Sequence, residues 1–330
     1  MSYPSQIVRT KRLQRAVMAS LGQITKRHLS ALLGEWKECR RDLIGAIAQT
    51  YKLTAPTGKW NVHGYRTSGA KGWLTSFLQR RMAMFQATST AMMRQAFKDI
   101  KKKSALQHAW LLDQVTPGHN TVRTPDNIKR EALSPIDPEI WVDRWAQWVE
   151  SYEHALAGNI AMHAVNEGDL AGAIDEVDAT RMNTPASTLE RALTRLVEFK
   201  SYESIALGED EIAEMNDDLI QEEIWMTSGR KNICEDCADN EGKTVDEADG
   251  DIPLHPNCEC FWEMHPKSYG NLLRSGNPED RELANEMDQR GLDNGSLVIR
   301  GADGEISAKA IVTFSAWMAG TSKVLSGGMR

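Results

Sequence analysis

The chain has 330 residues, of which 41% are apolar, so it is long enough to bury more than one hydrophobic core. It contains no run of eighteen apolar residues, which excludes an ordinary membrane-spanning helix. The first residues, Met-Ser-Tyr-Pro-Ser, have no apolar segment, so we expect no secretion signal. Four clustered cysteines and a lone Cys39 are typical of a reducing cytoplasm and a metal site rather than of a secreted disulfide framework.

The net charge of −7 conceals two segments of opposite sign. Residues 1–103 hold 20 basic and 4 acidic side chains, a balance of +16. Residues 104–330 hold 19 basic and 42 acidic side chains, a balance of −23. Such asymmetry predicts that the two segments face different partners.

Apolar residues recur at helical spacing through most of residues 1–115. Leu13, Val17 and Leu21 begin one stripe, which predicts either one long helix or a helical pair over residues 5–52. Residues 72–114 return to the same period. We therefore expect a basic helical domain over residues 1–115.

Four prolines in residues 116–138 predict a linker. A second helical domain is expected over residues 139–224. Gly208 is expected to bend one of its helices. Residues 209–223 are heavily acidic, which is typical of a solvated helix face.

Three tryptophans mark the start of the second helical domain. Trp141, Trp145 and Trp148 recur at i, i+4 and i+7, which places them on one face of a helix. Large aromatic side chains at this spacing are more typical of a core or a subunit interface than of a ligand site. We expect this face to be buried.

Basic residues concentrate in the second half of the basic domain: Arg80, Arg81, Arg94, Lys98, Lys101, Lys102 and Lys103. They predict a positive surface, although they do not form one clean helical face. The sequence has no groove-reading motif, so any contact with duplex DNA should be to phosphates and independent of sequence. An acidic protein surface and simple solvation remain alternatives.

Cysteine and histidine cluster within residues 225–266, which we call the Cys/His element. The spacing is C-x2-C, seventeen residues, then H-x2-C-x-C, and the candidate ligands are Cys234, Cys237, His255, Cys258 and Cys260. Zinc takes four such ligands at tetrahedral corners, and each two-residue gap supplies a pair. The preferred set is the first four, with Cys260 as the alternate because i and i+2 on an extended segment face the same side.

Two other interpretations of these cysteines stay open: reduced buried thiols, or a disulfide between Cys234 and Cys237. A catalytic zinc would also need an open position and a nearby acid or base. Acids are present at Glu235, Asp236, Asp239 and Glu241. A full ligand set nevertheless favours a closed, structural site.

Residues 267–330 are predicted to form a C-terminal extension. Residues 296–300 and 310–314 have the composition of two short strands around a Gly-Ala-Asp-Gly turn. This pattern predicts a β-hairpin. The fold expected for the whole chain is mainly α, with a small zinc-stabilised β or loop element and this hairpin.

The Cys/His element resembles the signature of the Mu-F-like phage head morphogenesis family, the minor capsid proteins of tailed phages. The resemblance is carried by Trp225 and Thr227, the cysteine pair, Gly242-Lys243, and the run from Pro253 to Cys260. Residues 205–209 and Asn216 resemble the helix that precedes the signature. Two departures are Glu259, where the family usually has arginine, and Leu207-Gly208, in place of arginine-threonine.

The resemblance implies a structural minor head protein rather than an enzyme. It would reside in the virion near the portal, with the portal and major capsid proteins as partners and packaged double-stranded DNA as a further contact. Phosphate-binding loops and common hydrolase motifs are absent, and the other histidines are scattered. The alternatives are a zinc-dependent nucleic-acid-processing enzyme and a non-phage zinc-ribbon adaptor.

Overall fold

The structure, a computed structural model, is mainly helical with one small antiparallel sheet, as the sequence predicts. It describes residues 3–54, 69–116, 122, 139–165, 169–228, 233–255, 258–267, 276–279, 281–282, 284–285, 314–315 and 317–318. The helices are α1 Tyr3–Thr54, α2 Ala70–Val115, α3 Glu139–Val165, α4 Leu170–Asp175, α5 Pro185–Met215 and α6 Glu235–Asn240. The strands are β1 Ile220–Met226 and β2 Phe261–Pro266.

The first helical segment is a single helix rather than a helical pair. Helix α1 runs from Tyr3 to Thr54, with no proline inside it beyond its first turn. Leu13, Val17 and Leu21 are buried at helical spacing. Because nothing interrupts the backbone hydrogen bonds, one continuous helix presents the whole stripe.

The chain divides into two compact units, and each is built from separate segments. The cysteine unit comprises residues 1–24, 98–134 and 201–330, and the tryptophan unit comprises residues 25–97 and 135–200. Helices α1, α2 and α5 each contribute residues to both units. Because these three long helices each pass from one unit to the other, the units do not follow the consecutive segments drawn from the sequence.

The core of the tryptophan unit is centred on aromatic rings. Trp36 of α1 lies 5.1 Å from Phe85 of α2 and 5.5 Å from Tyr152 of α3, between ring centroids. Trp145 of α3 packs edge-on against Phe85 at 5.9 Å. These contacts join the three helices within one apolar cluster.

The cysteine unit packs the sheet against helices. Strands β1 and β2 pair antiparallel, with Trp225 opposite Trp262 and Met226 opposite Phe261. Met264 of β2 is fully buried in a cluster with residues of α1, α2 and α5. A two-stranded sheet alone is marginal in water, so this packing is what supports it.

Gly208 permits a close approach between helices. Helix α5 runs uninterrupted through it. A Cβ atom at Gly208 would lie 2.5 Å from the Lys101 carbonyl oxygen and 2.8 Å from Ser104 Cβ, both on α2. Glycine is required here because any side chain would separate the two helices.

Several predicted segments fall outside the described residues. They include the linker over residues 116–138, apart from Thr116 and Val122, and the hairpin over residues 296–300 and 310–314, apart from Phe314, which is helical. Within the part of the chain that is described, no helix has both the length and the apolar character needed to cross a membrane.

Candidate metal centre

Two tight turns present the candidate ligands. Cys234 caps the N-terminus of α6, and its sulfur accepts a hydrogen bond of 3.3 Å from the Cys237 backbone N–H. At the second turn, the Cys258 N–H donates to the His255 carbonyl at 2.9 Å. Each turn therefore brings two ligand side chains to the same side of the backbone, as the two-residue spacings predict.

The five predicted ligands converge in one cluster. Cys234, Cys237 and His255 form one group whose ligand atoms lie within 4.8 Å of one another, and Cys237, Cys258 and Cys260 form a second. Cys237 belongs to both groups. The Cys/His element therefore contains a site that could bind a metal ion.

One distance between candidate ligands, from Cys237 Sγ to Cys258 Sγ, matches a tetrahedral zinc site. His255 Nε2 lies 2.8 Å from Cys234 Sγ and 3.2 Å from Cys237 Sγ. Cys237 Sγ lies 3.8 Å from Cys258 Sγ. Zinc–sulfur bonds of about 2.3 Å at tetrahedral angles place two sulfurs about 3.8 Å apart. These contacts link the four residues of the preferred ligand set.

Strand β1 is hydrogen-bonded to the segment that connects the two turns, residues 238–254. The Trp225 N–H donates to the Lys243 carbonyl at 2.8 Å, and the Gly242 N–H donates to the Trp225 carbonyl at 2.9 Å. Gly242 has a positive φ of 83°, which favours glycine at this turn. The chain thus leaves β1, turns back along it, and returns to β2 beside the cysteines.

A small apolar core surrounds the cluster on its inner side. Trp225 packs edge-on against Trp262 with ring centroids 5.2 Å apart, and both belong to one buried cluster with Cys237, Cys258 and Cys260. Cys234 and His255 are only partly buried. The site therefore has one side towards solvent.

The pKa values of the clustered thiols shift in opposite directions. A hydrogen bond with the Cys260 thiol lowers the pKa of Cys258 to about 5, against the opposing effect of burial. Burial raises the pKa of Cys237 to about 12. Interaction with Cys258 and burial both raise the pKa of Cys260. Binding of a metal ion would therefore release protons from buried thiols.

The acids near the first turn do not join the cluster. Glu235, Asp236 and Asp239 are exposed on α6. The Glu241 carboxylate accepts a hydrogen bond of 2.7 Å from the Thr227 N–H. In the described part of the chain, neither group of candidate ligands includes a carboxylate.

The structure separates the predicted basic residues into exposed and internally paired ones. Arg80, Arg94, Lys98 and Lys102 are exposed on α2. Arg81 donates to Asp42 at 2.8 Å and lies 3.4 Å from Glu35. Lys101 is buried, 3.6 Å from Glu211, and Lys103 lies 3.0 Å from Asp99. Sequence alone could not distinguish the two kinds because most of the acidic partners are distant along the chain.

The predicted tryptophan face contacts helix α2 of the same chain. Trp141 and Trp145 are buried, and Trp148 is half-buried beside the same core. Trp141 packs edge-on against Phe97, and Trp145 Nε1 donates to Ser89 Oγ at 3.0 Å. The structure thus places these side chains in the core of the tryptophan unit.

The acidic stretch contains a residue for which the solvated-face interpretation is wrong. Glu209 is only 1% exposed because the close packing of α5 on α2 encloses it. It lies beside His108 and Gln14, which are also buried. The sequence gives no periodic signal for this set, because its members are on three different helices.

Comparisons with protein-family models, with curated proteins and with solved structures find no match to this chain. The resemblance to phage head proteins therefore depends on the sequence pattern of the Cys/His element and of the helix before it.

Proposed function

We propose that the Cys/His element binds one structural zinc ion through Cys234, Cys237, His255 and Cys258. Three thiolates and one imidazole are a common donor set for structural zinc. The continuous contacts from Cys234 through His255 and Cys237 to Cys258 support this set. Cys260 is the alternate fourth ligand, since it lies in the same group as Cys237 and Cys258.

A structural role suits the position of the cluster. The ion would join the turn at α6 to the segment that enters β2. It would thereby fix both ends of the segment that connects the two turns. Cys237, Cys258 and Cys260 are buried against Trp225 and its neighbours, which leaves little room for a substrate at the metal. A catalytic zinc needs an accessible coordination position.

We propose that the protein is a structural minor head protein of a tailed phage and acts in head morphogenesis near the portal. The sequence pattern from Trp225 to Cys260 carries this proposal. The residues that produce the resemblance also build the element: Gly242 and Lys243 bond to Trp225, and the cysteines and His255 converge beside them. The proposed partners are the portal and major capsid proteins, and the proposed location is the virion.

Co-expression with portal and coat proteins from the same genome tests the assembly role. We expect the chain to copurify with assembled heads, and Cys237→Ser to reduce its incorporation. Cys39→Ala is a matched control because Cys39 is buried in the tryptophan unit and belongs to neither ligand group. Absence of the wild-type chain from heads contradicts the proposal. Metal-dependent cleavage of DNA by the purified protein would instead support the enzyme alternative.

The exposed basic side chains of α2 are the proposed contact with packaged DNA. Arg94, Lys98 and Lys102 follow one another at intervals of four, so they lie on one side of the helix. Internal ion pairs already engage Arg81 and Lys101. The DNA contact is therefore narrower than the full set of basic residues in this segment.

Reversing the charge at Arg94, Lys98 and Lys102 together should weaken binding of duplex DNA and reduce its salt dependence. Each phosphate contact contributes about 0.9 to the magnitude of the slope of log K against log salt. Loss of three contacts should therefore reduce the magnitude of this slope by about three. Salt titrations of the full chain with two unrelated duplexes measure this slope. Arg191→Glu with Arg195→Glu is the control, since both residues are exposed on α5. Equal slopes for all variants, with binding to the portal retained, would make this surface a protein contact instead.

A further inference from the structure

A buried polar group lies in the cysteine unit, apart from the candidate metal ligands. Gln14 of α1, His108 of α2 and Glu209 of α5 meet beside the Trp262 carbonyl of β2. Gln14 and His108 are 0% exposed and Glu209 is 1% exposed. Bulk solvent therefore does not reach these side chains, and their hydrogen bonds are made mainly within the group.

The Gln14 amide does not provide enough hydrogens for its neighbours. Its Nε2 lies 2.9 Å from Glu209 Oε1, 3.0 Å from His108 Nε2 and 3.1 Å from the Trp262 carbonyl oxygen. An amide nitrogen carries two hydrogens, so it can serve two of these three acceptors. The third needs a hydrogen from another source.

The orientation of His108 shows where that hydrogen belongs. His108 Nδ1 lies 2.9 Å from the Ser104 carbonyl, which can only accept, so Nδ1 carries a hydrogen. His108 Nε2 lies 3.3 Å from Glu209 Oε1. Without a hydrogen between them, a nitrogen lone pair and a carboxylate oxygen would face each other inside the protein.

The surrounding charges also favour a proton on this pair. Glu223 of β1 and Asp210 of α5 are the acids that act on Glu209. Lys101 of α2 pairs with Glu211 of α5, and Glu263 of β2 is engaged with His265 and with Lys11 of α1. Burial, followed by these acids, raises the pKa of Glu209 well above its usual value, and burial lowers the pKa of His108 to about 4.

We infer that His108 and Glu209 share a single proton in the folded protein, and that this proton holds β2 against the helices of the cysteine unit. The pair is then uncharged as a whole, and the two hydrogens of Gln14 Nε2 serve Glu209 Oε1 and the Trp262 carbonyl oxygen. Removal of the proton would leave a buried carboxylate beside a neutral histidine. The packing of β2 on the helices therefore depends on this proton. The strand pair in turn supports the Cys/His element.

The number of protons bound to the pair in the folded and unfolded chains gives the pH dependence of its contribution to stability. In the unfolded chain the glutamate titrates near 4.5 and the histidine near 6.5. Between these values the unfolded pair and the folded pair each hold one proton, so the pair adds no pH dependence. Above pH 6.5 the unfolded pair holds no proton. The equilibrium constant for folding therefore falls about tenfold per pH unit until the folded pair releases its proton. Below pH 4.5 the unfolded pair holds two, and stability falls again.

Glu209→Gln removes the titrating proton and keeps the shape of the side chain. Because Gln14 and His108 both meet Glu209 Oε1, an amide keeps one of these two hydrogen bonds, either by accepting from Gln14 or by donating to His108. Hydrogen exchange at the β1 and β2 amides of the full chain, corrected for intrinsic rates, measures opening of the strand pair. Above pH 6.5 we expect wild-type opening to rise by up to about tenfold per pH unit relative to the variant. Glu214→Gln, an exposed acid on the same helix, should match the wild type.

Equal pH dependence in wild type and Glu209→Gln overturns the inference. A measurement on the wild-type chain decides the question if that variant does not fold. The ¹⁵N signals of the His108 ring should show the neutral Nδ1–H form from about pH 5 to about pH 8, whereas a free histidine titrates near 6.5. Titration of the His108 ring at its ordinary value would also overturn the inference.

Discussion

Cys237→Ser is expected to unfold residues 225–266 while the helical cores remain folded. Cys237 is the residue that belongs to both ligand groups, and it is buried. Structural zinc contributes on the order of 10 kcal/mol to the folding free energy of small finger peptides. A two-stranded sheet alone is marginally stable, so it should not offset the loss of this stabilisation. Apart from Met264, the buried residues of the helical cores lie outside 225–266, so these cores should survive.

Limited proteolysis and hydrogen exchange can locate this change along the chain. Cleavage and fast exchange should appear within residues 225–266, and the helical circular dichroism should change little. Treatment of the wild type with a chelator should reproduce the pattern, and Cys39→Ala should not. Unchanged protection of residues 225–266 in Cys237→Ser would show that the fold of the element does not depend on a metal.

Trp145→Ala should destabilise the tryptophan unit by roughly 3–5 kcal/mol, the usual cost of truncating a large buried aromatic side chain. Trp145 is 0% exposed, packs edge-on against Phe85, and donates to Ser89 Oγ at 3.0 Å. Truncation leaves a cavity between α2 and α3. Ser89 keeps its hydrogen bond to the Phe85 carbonyl, so the loss is mainly one of packing.

Denaturant unfolding of the full chain measures this loss, with Trp73→Ala as the control. Trp73 lies on α2, is 36% exposed, and stacks on Phe77 at the surface. Its truncation should cost much less. Equal effects of the two substitutions would show that the buried tryptophan face does not determine the stability of the unit.

The sequence predicted the helices and the ligand cluster well because both depend on local spacing. Leu13, Val17 and Leu21 follow the helical period, and the structure contains the corresponding helix. The two-residue gaps at Cys234 and His255 determine which side chains each turn presents. Such features do not require knowledge of distant contacts.

The rest depends on contacts between residues far apart in the chain. Glu209 is in an acidic stretch, but Gly208 brings that helix against α2 and encloses it. Lys101 is in a run of three lysines, yet it is the one that is buried beside Glu211. Spacing alone cannot show which member of a charged run faces inward, because the neighbouring helix decides it.

Elemental analysis of the full chain, purified without added metal and kept reduced, tests the zinc proposal most directly. We expect one zinc ion per chain, retained through gel filtration and lost in Cys237→Ser. We expect no loss in Cys39→Ala, because Cys39 belongs to neither ligand group. A zinc content near zero in fully reduced, folded wild-type protein would contradict the zinc proposal.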